Sequence, residues 1–274
     1  MARFAVVLGG GAARGAAHLG VLRALVESSL MPDLIVGVSI GAIVGAAYCK
    51  GEDPRDALGR LRSFSRDLQS GLANLPKWVR FKRALQLFSY ETRRGFLEDV
   101  LGLRGLTFAH LKTPLLVTAT CLFPLKRAVF GLKSDDSVVE AVLASTALPS
   151  RFPINVAGRP YLDGGLTGNL PTLVAARAGA RVILAVSVGF LFRRREGPPF
   201  LFPWKFVDTL GKIQMRLEAN VSRKSGRVVL ELPIHEAEGE SVLAFEKLDK
   251  LEEAGYKACL NCVPVLAGAL EKSQ

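Results

Sequence analysis

A parallel α/β sheet with helices on both faces is the fold class this sequence predicts, and three observations predict it. Short apolar runs rich in β-branched residues alternate with stretches of helical period from the first residues onward. Those runs are apolar at every position, as strands covered on both faces are. Glycine clusters stand at the first two strand–helix junctions.

Residues 3–8 (RFAVVL) read as the first buried strand, ended by glycines. From Ala13 to about Ser28 the pattern is helical, with Leu19, Leu22, Leu25 and Val26 on one side. Pro32 and Asp33 punctuate the chain before LIVGVS (34–39), a second strand, and GAIVGAAYCK (41–50), a helix of small residues. The next stretch, to about Phe108, is helical and basic. PLLVTATCL (114–122) and KRAVFGL (126–132) continue the sheet. A helix over 135–148 carries the capping-box spacing at Ser137 and Glu140. Then come a helix at 171–178, strands at 181–188 and 227–234, and a last helix from about Val242. No internal repeat interrupts the order. The one linker-like stretch, RRREGPPFLFP (193–203), is followed by more of the same alternation, so a single domain over 1–274 is expected.

Of 274 residues, 49% are apolar and 22% charged, which excludes a disordered chain. No apolar run reaches the length of a membrane-spanning helix. MARFAVVLGGG is too short in its apolar part for a signal peptide, so a cytoplasmic location is expected. Cys49, Cys121, Cys259 and Cys262 form no disulfide framework for a chain of this size. Cys259 and Cys262 read as two small core residues on one helix, and neither a metal nor another cofactor is expected. The net charge of +11 favours an anionic partner, phospholipid headgroups or nucleic acid. No nucleic-acid module is recognisable, so nucleic acid is not expected.

Gly37-Val38-Ser39-Ile40-Gly41 lies between a predicted strand and a predicted helix, the setting of a nucleophile elbow. Side chains two before and two after the serine would clash in so tight a turn, hence the glycines. Ser39 then stands at the carboxyl end of its strand, where open α/β sheets bind ligands. The pattern alone also fits a structural turn.

Gly9-Gly10-Gly11-Ala12-Ala13-Arg14-Gly15 occupies the first strand–helix junction. A loop of small residues lets backbone N–H groups converge on one point, either an oxyanion or a dinucleotide pyrophosphate. The dinucleotide reading requires an acidic residue at the end of the second strand, where Ser39 stands instead. Arg14 reads as a brace for the loop and His18 as structural.

A reactive serine needs a base. Asp163-Gly164-Gly165 offers a carboxylate on a turn, and His18, His110 and His235 are the only histidines. The order Ser39, Asp163, His235 matches a triad, which makes His235 the alternative base. A Ser–Asp pair instead requires a desolvated Asp163 with a raised pKa.

The glycine–arginine loop running into AAHLGVLRAL, the GVSIGA elbow and the DGG turn, in this order and spacing, resemble patatin-like phospholipases. The segment ASTALPSRFP (144–153) and the EAGYKA stretch (253–258) are similar to further blocks of that family. The resemblance covers nearly the whole chain. It implies a three-layer α/β/α fold with a mainly parallel central sheet, acting on lipid or phospholipid esters. Ser39 would be the nucleophile and Asp163 its base. The glycine loop (Gly9, Gly10, Gly11, Ala12, Arg14, Gly15) would form the oxyanion hole, with donors near Gly10, Gly11 and Ala12. Gly37 and Gly41 would shape the elbow, and Gly164 and Gly165 the aspartate turn. The chain departs from the commonest family loop at Ala12, whose methyl is accommodated if that residue keeps a negative φ. A regulator that senses lipid with the same fold is the alternative function. Residues 75–88 and 190–206 mix aromatics with cations and are candidates for peripheral contact with an anionic membrane.

Overall fold

A computed structural model describes residues 4–70, 89–148, 153–189 and 202–273, with backbone alone for 67–70 and 202–208. Among these residues eight strands form one sheet in the order β5-β6-β3-β2-β1-β7-β8, with β4 paired to β3 beside that path. The strands are β1 (Phe4–Leu8), β2 (Leu34–Val38), β3 (Leu115–Leu122), β4 (Leu125–Phe130), β5 (Ile154–Val156), β6 (Arg159–Asp163), β7 (Val182–Ser187) and β8 (Val228–Pro233). β3, β2, β1, β7 and β8 run parallel, and β4, β5 and β6 join by antiparallel pairs. This is the three-layer α/β/α architecture, with a mixed edge.

The layers follow from the alternation of side chains along each strand. Val6 and Leu8 of β1 face one core with Ile35, Leu184 and Val186. That core is covered by α1 (Ala16–Glu27), α2 (Ile40–Lys50), α3 (Pro54–Ser70), α5 (Val138–Ser145) and α9 (Leu248–Lys272). Ala5 and Val7 face the other core with Val36 and Ile183, beneath α6 (Thr172–Arg177) and α7 (Phe202–Lys224). The remaining helices are short: α4 (Tyr90–Gly95), which continues as a π-turn to Val100, and α8 (His235–Glu238).

α1 and α9 pack at backbone contact. A methyl on Gly20 would strike the carbonyl of Glu252, and one on Gly255 that of Ala17. Beside this crossing Arg23 lies 3.7 Å over the Tyr256 ring and bonds Glu252 at 3.0 Å.

Three expectations are corrected. The stretch before Asp163, to which the sequence assigns no strand, is the β5–β6 hairpin; Ala157 and Gly158 both take positive φ, the geometry of a two-residue turn that suits strand twist. Helix α7 begins inside the stretch read as a linker, where Pro203 stands in the first helical turn. There proline is tolerated, because the N–H it lacks has no partner to lose. The last helix starts at Leu248 instead of Val242, after a 3₁₀ turn over Phe245–Lys247. Residues 75–88, and 190–201 of the second membrane candidate, lie outside the described residues.

One junction positions the site. β4 pairs with Val117–Leu122 along one edge of β3. On the opposite edge β2 pairs as far as Thr118 and stops at Val38, and β6 takes over from Ala119, which faces Asp163. Two strands running towards each other therefore end against consecutive residues of β3. Ser39, following Val38, and Asp163 are brought head to head by a single continuous strand.

Candidate active site

Ser39 sits between β2 and α2 at φ 53°, ψ −122°, a strained conformation for a residue with a Cβ. The elbow is closed by contact. A methyl on Gly41 would strike the Leu8 carbonyl, and one on Gly37 the backbone of Ala42. The N–H of Ser39 donates to Ser145 Oγ at 2.8 Å, and that hydroxyl donates to the Thr118 carbonyl at 2.7 Å. The amino end of α2 follows the serine, so its dipole favours negative charge there.

Asp163 is buried, with its carboxyl beside the Ser39 side chain. Burial pushes its pKa up to about 6, against the opposing pull of the Ser39 hydroxyl, the Gly165 N–H and the Arg93 charge. The Gly165 N–H donates to Oδ1 at 2.8 Å and fixes the rotamer. The Asp163 backbone is held as well, its N–H donating to Ala147 O at 2.7 Å and its carbonyl accepting from Thr120 Oγ1 at 2.9 Å. Gly164 rests against the Thr118 carbonyl with no room for a side chain.

The glycine loop adjoins the serine: a Cβ on Gly10 would lie 3.1 Å from Ser39 Cβ. Asn169 holds Gly10 on both sides, accepting its N–H at 3.0 Å and donating to its carbonyl at 3.3 Å. The Gly10 N–H, expected among the oxyanion donors, is thus already committed. Gly9 N–H donates to Val186 O, Ala13 N–H to Val242 O and Arg14 N–H to Gly11 O. The N–H groups of Gly11 and Ala12 have no hydrogen-bond partner among the described residues. Ala12 has φ 51°, so the condition for an unstrained methyl, a negative φ, is not met. An alanine there bears a strain of about 1 kcal/mol that glycine avoids. Gly15 lies against Ile40, the residue after the nucleophile.

Arg14 is buried and faces away from chemistry, its guanidinium bonding the carbonyls of Glu240 (3.0 Å) and Val188 (3.4 Å). His18 is fully buried with Nε2 2.8 Å from the Gly9 carbonyl, and burial lowers its pKa to about 4. It is a neutral strut beneath the loop. His110 bonds Thr107, and His235 is exposed with Nδ1 3.3 Å from Glu238. The alternative base therefore has a partner of its own, and Asp163 is the titratable group beside Ser39.

Ser145, Asn169 and Arg93 were not singled out from the sequence. Arg93 donates to the Thr146 carbonyl at 2.6 Å and to Thr146 Oγ1 at 2.8 Å, clamping the end of α5. Cys259 and Cys262 lie on α9 as free thiols, and burial pushes Cys259 up to about 12. Among the described residues no group of three or more His, Cys, Asp or Glu side chains is placed to hold a metal ion.

Residues 6–176 match the sequence model of the patatin-like phospholipase family. The chain belongs to that family. Lysophospholipase NTE1 of Mycosarcoma maydis is 29% identical over 282 residues, covering 93% of this chain and 14% of that protein. Neuropathy target esterase sws of Drosophila melanogaster is 30% identical over 288 residues, covering 92% of this chain and 19% of that protein. This patatin-like chain thus spans less than a fifth of the length of these curated relatives. In fold it is similar to VipD from Legionella pneumophila, with a TM-score of 0.53 at 15% identity over 97% of this chain and 67% of that one. The matched segment contains the patatin-like loop, Ser39 and Asp163, and ends within α6.

Proposed function

We propose that the chain is a serine acyl hydrolase cleaving lipid ester bonds through Ser39 and Asp163. One observation carries the reading: a buried carboxyl, with a pKa pushed up to about 6, lies beside a serine strained at a strand–helix elbow, where two strands end head to head against one strand. Ser39 Oγ attacks the acyl carbonyl as Asp163 takes its proton. The resulting oxyanion accepts from the Gly11 and Ala12 N–H groups, those of the loop not otherwise engaged. On collapse the proton passes to the departing alcohol and the acyl group stays on Ser39. Asp163 then draws a proton from water, which attacks the acyl-enzyme and frees the acid and Ser39.

Relatives named as lysophospholipases support a lipid substrate. Four free cysteines suit a reducing compartment. Among the described residues no helix is long and apolar enough to cross a membrane, so lipid is reached from the water side in this reading.

Hydrolysis of a short-chain p-nitrophenyl ester tests it. Wild type and His235→Ala are expected to turn over alike, while Ser39→Ala and Asp163→Asn lose activity by two or more orders of magnitude, about what removing a positioned base costs. Loss of activity in His235→Ala would replace the pair by a triad. A folded wild type inert on this ester and on phospholipid would favour the lipid-sensing alternative.

A further inference from the structure

Among the described residues, two apolar surfaces near the site are uncovered. The first is the tip of the β3–β4 hairpin. β3 runs on to Leu122, four residues past the level at which β2 ends, so the hairpin overhangs the end of the sheet that carries Ser39. At that tip Phe123 is 76% exposed and Leu125 74%, followed by exposed Lys126. The second is the outer side of α7, where Leu210, Ile213 and Leu217 are 48%, 48% and 58% exposed. Their spacing of three and four residues aligns them in one stripe.

The two belong to one side of the molecule. Leu125 shares its strand side with Arg127, two residues on. Arg127 bonds Glu218 of α7, and Arg127 and Gln214 both donate to the Thr167 carbonyl, four residues after Asp163. Helix α7 thus grips the aspartate turn with its inner face and shows an apolar stripe outward.

Among the described side chains, the exposed charges around these patches have one sign. Among the described side chains of α7, Arg216 flanks the stripe and is exposed, whereas Glu218, the one carboxylate among them, is buried on the inner face. Around the tip, Leu122–Phe130 holds Lys126 and Arg127 and no acid. A second copy of this chain would bring the same cations together, while an anionic lipid surface neutralises them.

We infer that the β3–β4 tip and the outer face of α7 form one docking surface for an anionic phospholipid bilayer. It delivers the sheet end bearing Ser39 and Asp163 to ester bonds in the membrane. Phe123 and Leu125 enter the headgroup–acyl boundary, the α7 stripe lies along it, and Lys126 and Arg216 meet the phosphates. The inference deepens the proposed lipid hydrolysis and rests on it for its purpose, though not for its test.

Vesicle sedimentation in a Ser39→Ala background separates binding from turnover. The full chain is expected to bind vesicles of phosphatidylcholine with phosphatidylglycerol more tightly than phosphatidylcholine alone, with a preference that weakens in salt. Phe123→Ser with Leu125→Ser, and separately Leu210→Ser with Leu217→Ser, should each weaken binding about tenfold or more, since each pair removes two apolar anchors. With Ser39 restored, the same pairs should keep wild-type turnover of the soluble ester and lose it on vesicles. Folding is checked by circular dichroism. Undiminished vesicle binding in both pairs overturns the inference, as does equal affinity for neutral lipid. A dimer in solution that the substitutions dissociate, with no vesicle binding, assigns the surface to a second copy instead. Vesicle binding without ester turnover would count against the hydrolase alone, and turnover without binding against the docking surface alone.

Discussion

At the scale of single residues, Asp163 is the group whose burial is costly and useful together. Its pKa of about 6 stands above the ordinary 3.8, so the fold favours the neutral carboxyl. That favour is fully present below pH 3.8 and is lost as pH rises through about 6, where the buried group must ionise. Above pH 6 the charge costs the fold about 3 kcal/mol, since each tenfold change in proton affinity is worth about 1.4 kcal/mol. Asp163→Asn keeps the shape and the acceptor for Gly165 and removes the charge. It should be the more stable protein at pH 8, with an advantage that shrinks towards pH 4, while hydrolysis is abolished. Urea titrations at several pH values measure this, and equal stability at pH 8 would refute it. The same ionisation sets the acid limb of the wild-type rate, which should fall below an apparent pKa of about 6.

At the scale of elements, the end of α5 organises the pair. Ser145 receives the Ser39 N–H, Ala147 receives that of Asp163, and Arg93 clamps the Thr146 carbonyl between them. Ser145→Ala leaves a buried donor and a buried acceptor without partners, a loss of about 1–3 kcal/mol in stability. Because Ser145 holds the elbow and not the substrate, kcat should fall with little change in KM. An unaltered kcat in a folded variant would deny the positioning role. Much of the site was legible beforehand, since glycines at a strand–helix junction leave a local signature: Gly37, Ser39 and Gly41 stand where the pentapeptide placed them. Ser145 and Asn169 were not, because their roles lie in contacts with residues 106 and 159 positions away. The sign of φ at Ala12 was equally hidden. Strands β5 and β6 escaped notice because three- and five-residue strands with Pro160 carry almost no periodicity.

At the scale of the whole molecule, the three-layer plan was readable from alternating apolar runs, and the mixed edge was not, since strand direction there depends on the hairpin turn. The layer opposite α7 is held by the α1–α9 crossing at Gly20 and Gly255. An alanine at either position forces the helices apart and should cost about 1–3 kcal/mol. Both methyls act on one separation, so the double substitution should cost less than the sum of the singles, as denaturant midpoints will register. Strict additivity would mean that the helices adjust independently. The meeting of β2 and β6 along one edge of β3 should set the order in which the candidate site fails. Opening the serine from the aspartate requires peeling strands from the interior of the sheet, so the amides of Thr118, Ala119 and Thr120 should be among the slowest to exchange with deuterium. On gradual heating, catalytic competence and the protection of those three amides should disappear in one transition, whatever frays first at the periphery.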